Sequence, residues 1–147
     1  MVPARVTLVT LGTFSMPKLR AFYREIGWEE TPTSNDQYSV FTTAGVLLSL
    51  FPYEELLKDA GLEQMDIQAP ENIAFRGITL AINVEEPEEV DDITEQVRKA
   101  GARILREPHE AFWGGRTAYF ADPENHVWEV AWNPSAIFDE SGAMISF

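Results

Sequence analysis

The feature that most constrains this 147-residue chain is an order of elements, strand then helix then further strands, that is read off twice. Arg5–Leu11 (RVTLVTL) alternates and is rich in Val, Thr and Leu, which predicts a strand. Ser15-Met16-Pro17 follows as a helix start, with Ser as cap and Pro in the first turn. Leu19, Phe22, Tyr23 and Ile26 stand at i, i+3, i+4 and i+7 on one face of that helix, and Gly27 is placed to close it. Strands are then expected over Tyr38–Thr42 and Val46–Phe51, joined by the turn Thr43-Ala44-Gly45. A short helix, Tyr53–Ala60, follows Pro52 and ends at Gly61.

The order restarts with a strand at Gly77–Val84 and a helix opened by Pro87, on which Val90, Ile93, Val97 and Ala100 share a face before Gly101. A strand over Arg103–Leu105 and a loop over His109–Gly115 come next. Then a hairpin is expected, Arg116–Phe120 and Val127–Trp132 around Asp122-Pro123-Glu124-Asn125. Asp-Pro marks a turn because Pro fixes φ and the Asp side chain bonds the backbone just beyond it. Val6-Thr7-Leu8 matches Ile78-Thr79-Leu80, Gly27 matches Gly101, and Val46–Phe51 matches Val127–Trp132. Identity between the halves is low, so an internal duplication is inferred from order and punctuation.

Composition narrows the chemistry. The chain has no cysteine, which excludes disulfides, zinc–thiolate sites, iron–sulfur clusters and a Cys nucleophile. Eleven Lys and Arg against 24 Asp and Glu give a net charge of −13. That sign disfavours nucleic acid and anionic membrane surfaces and attracts a cationic small ligand. The run Glu85–Asp92 is read as a solvated helix start, where carboxylates favour the positive end of the dipole. No apolar stretch approaches the roughly 20 residues that span a bilayer. The N-terminal MVPARVTLVTLG lacks the apolar core of a signal peptide, so a cytoplasmic protein is expected.

The first half carries Leu11-Gly12 and then Leu19-Arg20-Ala21-Phe22-Tyr23-Arg24-Glu25-Ile26-Gly27-Trp28; the second carries Trp113-Gly114-Gly115-Arg116-Thr117-Ala118-Tyr119-Phe120-Ala121-Asp122-Pro123-Glu124-Asn125-His126-Val127-Trp128-Glu129-Val130, followed by Trp132-Asn133-Pro134. These runs resemble the "FY…LGW" helix end and the "YFxDPxGNxWE" hairpin of the vicinal oxygen chelate superfamily. That superfamily includes glyoxalase I, bleomycin resistance proteins, fosfomycin resistance enzymes and extradiol dioxygenases. The resemblance implies an α+β fold of two βαβββ repeats, residues 4–62 and 76–134. Residues 63–75 would connect them, and 135–147 would form a C-terminal tail. Each repeat would make a curved four-stranded mixed sheet with a helix on its convex side, and the two would enclose a cavity. Homodimers are expected.

Metal-dependent members of the superfamily place His and Glu ligands on the first and last strands of each repeat, leaving metal positions open to two substrate oxygens. Counting back from Tyr23 puts Leu8 at the first such position, with Thr79 or Leu80 as its equivalent. Pairing the last strands sets Leu48 opposite Glu129. One carboxylate does not hold a catalytic metal, which normally has three protein ligands, so no metal cofactor is expected. A divalent metal held by other residues is the alternative. His109 and His126 are placed in a loop and beside a turn.

Alternation puts Val127, Glu129 and Ala131 on one face, and Trp128, Val130 and Trp132 on the other, against a helix. Glu129 is thus the single ionisable residue expected on the cavity face, as a ligand-orienting acceptor, a general base, or the relic of an ancestral site. Leu8, Leu48 and Thr79 would line the cavity, and Tyr38 and Tyr119 would reach it with hydroxyls. Trp113, in a Gly-flanked loop, is either a lid or a loop anchor. Arg116 is read either as a partner for an acidic ligand or as a surface residue. The functional expectation is a metal-independent protein that binds a small organic molecule, cationic or aromatic. The alternative is a lyase, isomerase or dioxygenase using Glu129 as base or metal ligand.

Overall fold

The computed structural model describes residues 4–62, 75 and 77–147, and the chain divides into two compact units at residues 69 and 70. In the first unit β1 (Leu8–Thr13) leads through α1 (Met16–Glu25) to β2 (Ser39–Phe41), β3 (Leu47–Pro52) and α2 (Tyr53–Asp59). The sheet order is β1-β3-β2, with β1 parallel and β2 antiparallel to β3. The buried face of α1 holds Met16, Leu19, Phe22 and Tyr23, and the Tyr23 ring lies 5.6 Å from that of Phe41. Phe41 pairs with Leu48, and Leu50 follows at the next position of the same face, so these buried side chains form the core under α1. On the opposite face Thr10 pairs with Ser49, their hydroxyls 2.7 Å apart. Gly12 shares that face, and a Cβ there would come 2.7 Å from the Tyr53 ring, so glycine is what lets α2 approach β1.

Among its described residues the first unit has three of the four strands that the resemblance implies. Where a further strand would run, Glu30 makes an isolated bridge to Phe41. Residues 31–38 form turns instead, with Asn35 Oδ1 accepting the N–H groups of Gln37 and Tyr38. Glu30 is fixed by its side chain, which accepts bonds from Arg20 Nε at 2.5 Å, Arg20 Nη2 at 3.0 Å and Ser39 Oγ at 2.7 Å.

In the second unit β4 (Leu80–Val84) precedes α3 (Glu88–Lys99), then β5 (Arg103–Glu110), β6 (Arg116–Ala121) and β7 (Val127–Trp132). The sheet order is β4-β7-β6-β5, with β4 parallel to β7 and the other pairs antiparallel. α3 packs on β5, β6 and β7, and its buried Val90, Thr94 and Val97 meet the apolar side of the sheet. That side holds Ala118, Phe120, Trp128 and Val130, all buried, with Phe120 and Trp128 stacked at 6.2 Å. In the acidic run at the start of α3, Glu89 Oε2 accepts the N–H groups of Glu85 and Glu86.

The turn between β6 and β7 is organised by the Asp122 carboxylate, whose side chain is 0% exposed. Its Oδ1 accepts the N–H groups of Glu124 and His126, and Oδ2 lies 2.7 Å from His126 Nδ1. Asn125 has φ 67°, a left-handed conformation that Asn tolerates better than most residues. Arg116 forms a bidentate pair with Asp91 of α3, at 2.6 and 2.7 Å, which ties β6 to the helix and holds the Asp91 carboxyl below its usual range. Its place is structural. Two elements differ from expectation: β5 runs to Glu110 and takes in His109, and the tail forms a small antiparallel hairpin of β8 (Ile137–Phe138) and β9 (Met144–Ser146). The connecting segment read over 63–75 lies almost wholly outside the described residues.

Candidate functional site

The second unit's sheet carries two rows of side chains on the face away from α3. Register aligns Ala81 with Glu129, Glu129 with Tyr119, and Tyr119 with Arg106. One step along, Asn83 aligns with Ala131, Ala131 with Thr117, and Thr117 with His109. Paired residues on neighbouring strands project to the same face. Glu129, Tyr119, Arg106, Thr117, His109 and Asn83 therefore share one surface, although they come from four strands.

Glu129 is held from two sides. Thr117 Oγ1 donates to its Oε1 at 2.8 Å and Tyr119 Oη donates to the same oxygen at 2.9 Å. The second carboxylate oxygen accepts no bond from a described residue, and its neighbour in the row, Ala81, is exposed. Burial and the adjacent carboxylate both push the Tyr119 hydroxyl above its ordinary value, against a smaller opposite effect of Arg106. Tyr119 therefore stays protonated and remains a donor across the physiological range. One oxygen of this carboxylate is thus bonded twice, and the other has no partner among the described residues.

Sequence alternation places Glu129 and Tyr119 on this face but misses Arg106 and His109. Their positions depend on two irregularities in β5. Ile104 pairs with Phe120 and Arg106 with Tyr119, so Leu105 is an extra residue; a second extra residue stands between Arg106 and His109. Each bulge shifts the phase of the strand by one residue. Without the first, Arg106 would lie on the α3 side with Ile104. Glu129 thus shares its face with Tyr119, Arg106 and His109, and with Arg103 at the end of the sheet, which corrects the expectation that it is the single ionisable residue there.

Trp113 belongs to the same end of the sheet. Residue 115 has the parity of Thr117 and Tyr119, and a Cβ on Gly115 would come 1.8 Å from the Trp113 ring and 2.4 Å from the Trp132 carbonyl oxygen. The indole occupies the space that a side chain there would fill, and Trp113 remains 42% exposed. Gly115→Ala is expected to displace this ring and lower stability by about 1–3 kcal/mol, the usual range for overpacking. A large shift of the assigned Trp113 indole N–H resonance would report it; an unchanged resonance would refute it.

The remaining sequence candidates lie elsewhere. Thr79 immediately precedes β4, exposed, with the parity of Ala81, whereas Leu80 pairs with Trp128 on the helix side. In the first unit Leu8 is exposed and has the parity of Thr10, away from α1. Leu48 is buried on the α1 side, and Ser49 holds the position on the other face. Matching the two last strands therefore needs a shift of one residue, with Ser49 rather than Leu48 corresponding to Glu129. Tyr38 is exposed and meets Phe51 edge-on, their ring centroids 5.9 Å apart.

The arrangement defines a class: α+β proteins that keep a helix on one side of a mixed sheet and polar groups on the other. More particularly, the chain belongs to the Glyoxalase/Bleomycin resistance protein/Dioxygenase superfamily, whose family model matches residues 5–130. A glyoxalase-related enzyme from Fulvimarina pelagi is similar with a TM-score of 0.86 and 27% identity, over 98% of this chain and 99% of that one. A family enzyme from Burkholderia phytofirmans PsJN superposes with a TM-score of 0.76 at 21% identity, over 88% of this chain and 98% of that one. For lactoylglutathione lyase from Agrobacterium tumefaciens the TM-score is 0.63 at 19% identity, over 91% and 97% of the two chains. The last two likenesses show the fold alone. No curated protein matches the sequence.

Members of this superfamily that use a metal need several ligands converging on one point. Among the described residues no three His, Cys, Asp or Glu side chains converge in that way. The register row of Glu129 holds Ala81, Tyr119 and Arg106, none of them a His or carboxylate, and one carboxylate alone does not fit a catalytic divalent ion. Among the described residues no helix is long and apolar enough to cross a membrane.

Proposed function

We propose that this protein binds a small organic molecule, without a metal, on the Glu129 face of its second unit. One observation carries the reading: two hydroxyls fix one oxygen of Glu129 while the other accepts nothing from a described residue. Such a carboxylate is pre-oriented to accept a bond from a ligand hydroxyl or ammonium group, with little ordering left to do on binding. Tyr119 presents its ring beside that acceptor, and Trp113 adds a partly exposed indole at the end of the face. The acidic surface draws cationic groups toward the site.

A ligand found by thermal-shift or NMR screening is expected to bind Glu129→Gln about ten-fold or more weaker than wild type, the usual effect of losing a charge-assisted hydrogen bond. Unchanged affinity would refute the site. Near-stoichiometric retention of nickel, zinc, manganese or iron by untagged protein would refute its metal independence. A second reading is favoured by the similarity to a glyoxalase-related enzyme: the free oxygen takes a proton from the bound molecule, as in a lyase or isomerase. Incorporation of solvent deuterium into the ligand, lost in Glu129→Gln, would select that reading over simple binding.

A further inference from the structure

Arg5, Lys18, Lys99 and Arg106 are the described cations that make no hydrogen bond or ion pair to a described residue, and of these Arg106 alone lies on a strand of a sheet. Arg20, Arg24, Lys58, Arg98 and Arg116 all pair with carboxylates. Arg103 lies at the end of the Glu129 face, but it donates to Asn125 Oδ1 in the β6–β7 turn. Arg106 makes no hydrogen bond or ion pair to a described residue, although the chain holds 24 acidic residues. It occupies the same register row as Tyr119 and Glu129. Two strand spacings separate Arg106 from Glu129, about 10 Å between Cα atoms, so both side chains can reach one small molecule lying over Tyr119. Arg106 is exposed and pairs across the strands with Tyr119.

The backbone is shaped to put it there. Regular pairing of β5 would turn Arg106 to the helix side, and a one-residue bulge brings it to the polar face. Bulges give up ladder hydrogen bonds and are found where a side chain is re-aimed. A negative surface discourages anions at long range, so a guanidinium without an internal carboxylate acts only at contact.

We propose, resting on the Glu129 reading above, that Arg106 anchors an anionic oxygen group of the ligand. The molecule is then an oxyacid, best a carboxylate, with a separate hydroxyl or ammonium group that bonds Glu129. Arginine suits this because its planar fork matches a carboxylate in two parallel bonds.

The test uses the full chain, ¹⁵N-labelled, with acetate, 4-hydroxyphenylacetate, its amide, and phenylacetate as probes. Both carboxylates that carry no second donor, and 4-hydroxyphenylacetate, are expected to give saturable shifts of the Arg106 Nε–Hε resonance at tens of millimolar or below. 4-Hydroxyphenylacetate should bind about ten-fold tighter than its amide, the size of a charge-assisted bond. Arg106→Gln should abolish that preference, and Arg103→Gln should leave it. The proposal is overturned if the carboxylates leave Arg106 unshifted, or if the acid-over-amide preference is absent in wild type or survives in Arg106→Gln. The two readings fail separately. Weaker binding of acid and amide alike in Glu129→Gln, with no effect of Arg106→Gln, would keep the Glu129 site and remove the oxyacid. An effect of Arg106→Gln alone would do the reverse.

Discussion

Phe120→Ala is expected to lower the free energy of unfolding by about 3–5 kcal/mol, as for other buried Phe truncations. The ring is 2% exposed and lies on β6, an interior strand of the second unit's sheet. It stacks on Trp128, nearly parallel at 5°, and both belong to the apolar side that α3 covers. Truncation removes the stacking partner of a tryptophan and leaves a void that a strand hydrogen-bonded on both edges cannot close. At about 2–4 °C per kcal/mol for a chain of this size, the melting temperature should fall by roughly 10 °C. Urea denaturation followed by circular dichroism measures it, and a loss below about 1 kcal/mol would show that the site collapses around the missing ring. The effect bears on function because Tyr119 and Phe120 are consecutive residues pointing to opposite faces. The donor to Glu129 is held in place by the ring behind it.

The part of this site that was legible from sequence is the part set by short-range rules. Val127–Trp132 alternates cleanly, so its bounds and the face of Glu129 follow directly. The hairpin is legible as well, but its register is not: five residues, 122–126, lie between the paired Ala121 and Val127, one more than the Asp122–Asn125 turn, and that extra residue sets Tyr119 opposite Glu129. β5 is not legible either, because a bulge has no signal in the alternation that it breaks. Read as a regular strand, Arg103-Ile104-Leu105 ends too early, and His109 falls in a loop. Leu48 failed for a different reason. In β3 the residues Leu48, Ser49 and Leu50 are all buried, so a run of apolar side chains says little about which face is which. The rings of Phe41 and Tyr23, brought together by tertiary packing, settle it.

Residue 30, where the described part of the first unit has a single bridge in place of a fourth strand, is held by an ion pair. Glu30, at the one bridge that remains, has a side chain only 12% exposed, and Arg20 is 14% exposed. Arg20 engages both Glu30 oxygens, with Ser39 donating to one of them, so the charge that this segment buries is matched by three bonds. The hydrogen bonds from Arg20 hold the Glu30 carboxyl below its ordinary value near 4.5, against the effect of burial. A local ion pair thus ties residue 30 to α1 where a sheet ladder would have been.

Arg20→Ala should therefore be costly, about 2–4 kcal/mol at pH 7, somewhat below the range for removing one partner of a fully buried pair. The Asp36 contact adds little to this, because its carboxylate is mostly exposed. The pH dependence separates lost pairing from lost packing. In the wild type the folded value of Glu30 is depressed, so its contribution is fully present above about pH 4.5 and is lost as pH falls through the folded value. In Arg20→Ala the carboxylate stays buried with Ser39 and the half-exposed Arg24, 3.8 Å away, as its remaining partners, and protonation relieves it. The deficit of the variant should therefore shrink as pH falls from 7 to below 4. Adding Glu30→Gln to Arg20→Ala should recover part of the loss at pH 7, since it removes the stranded charge. Guanidinium is unsuitable here because it is itself a salt, so urea titrations at both pH values are the measurement. A deficit that does not change with pH would mean that Arg20 acts through the packing of its aliphatic stem alone.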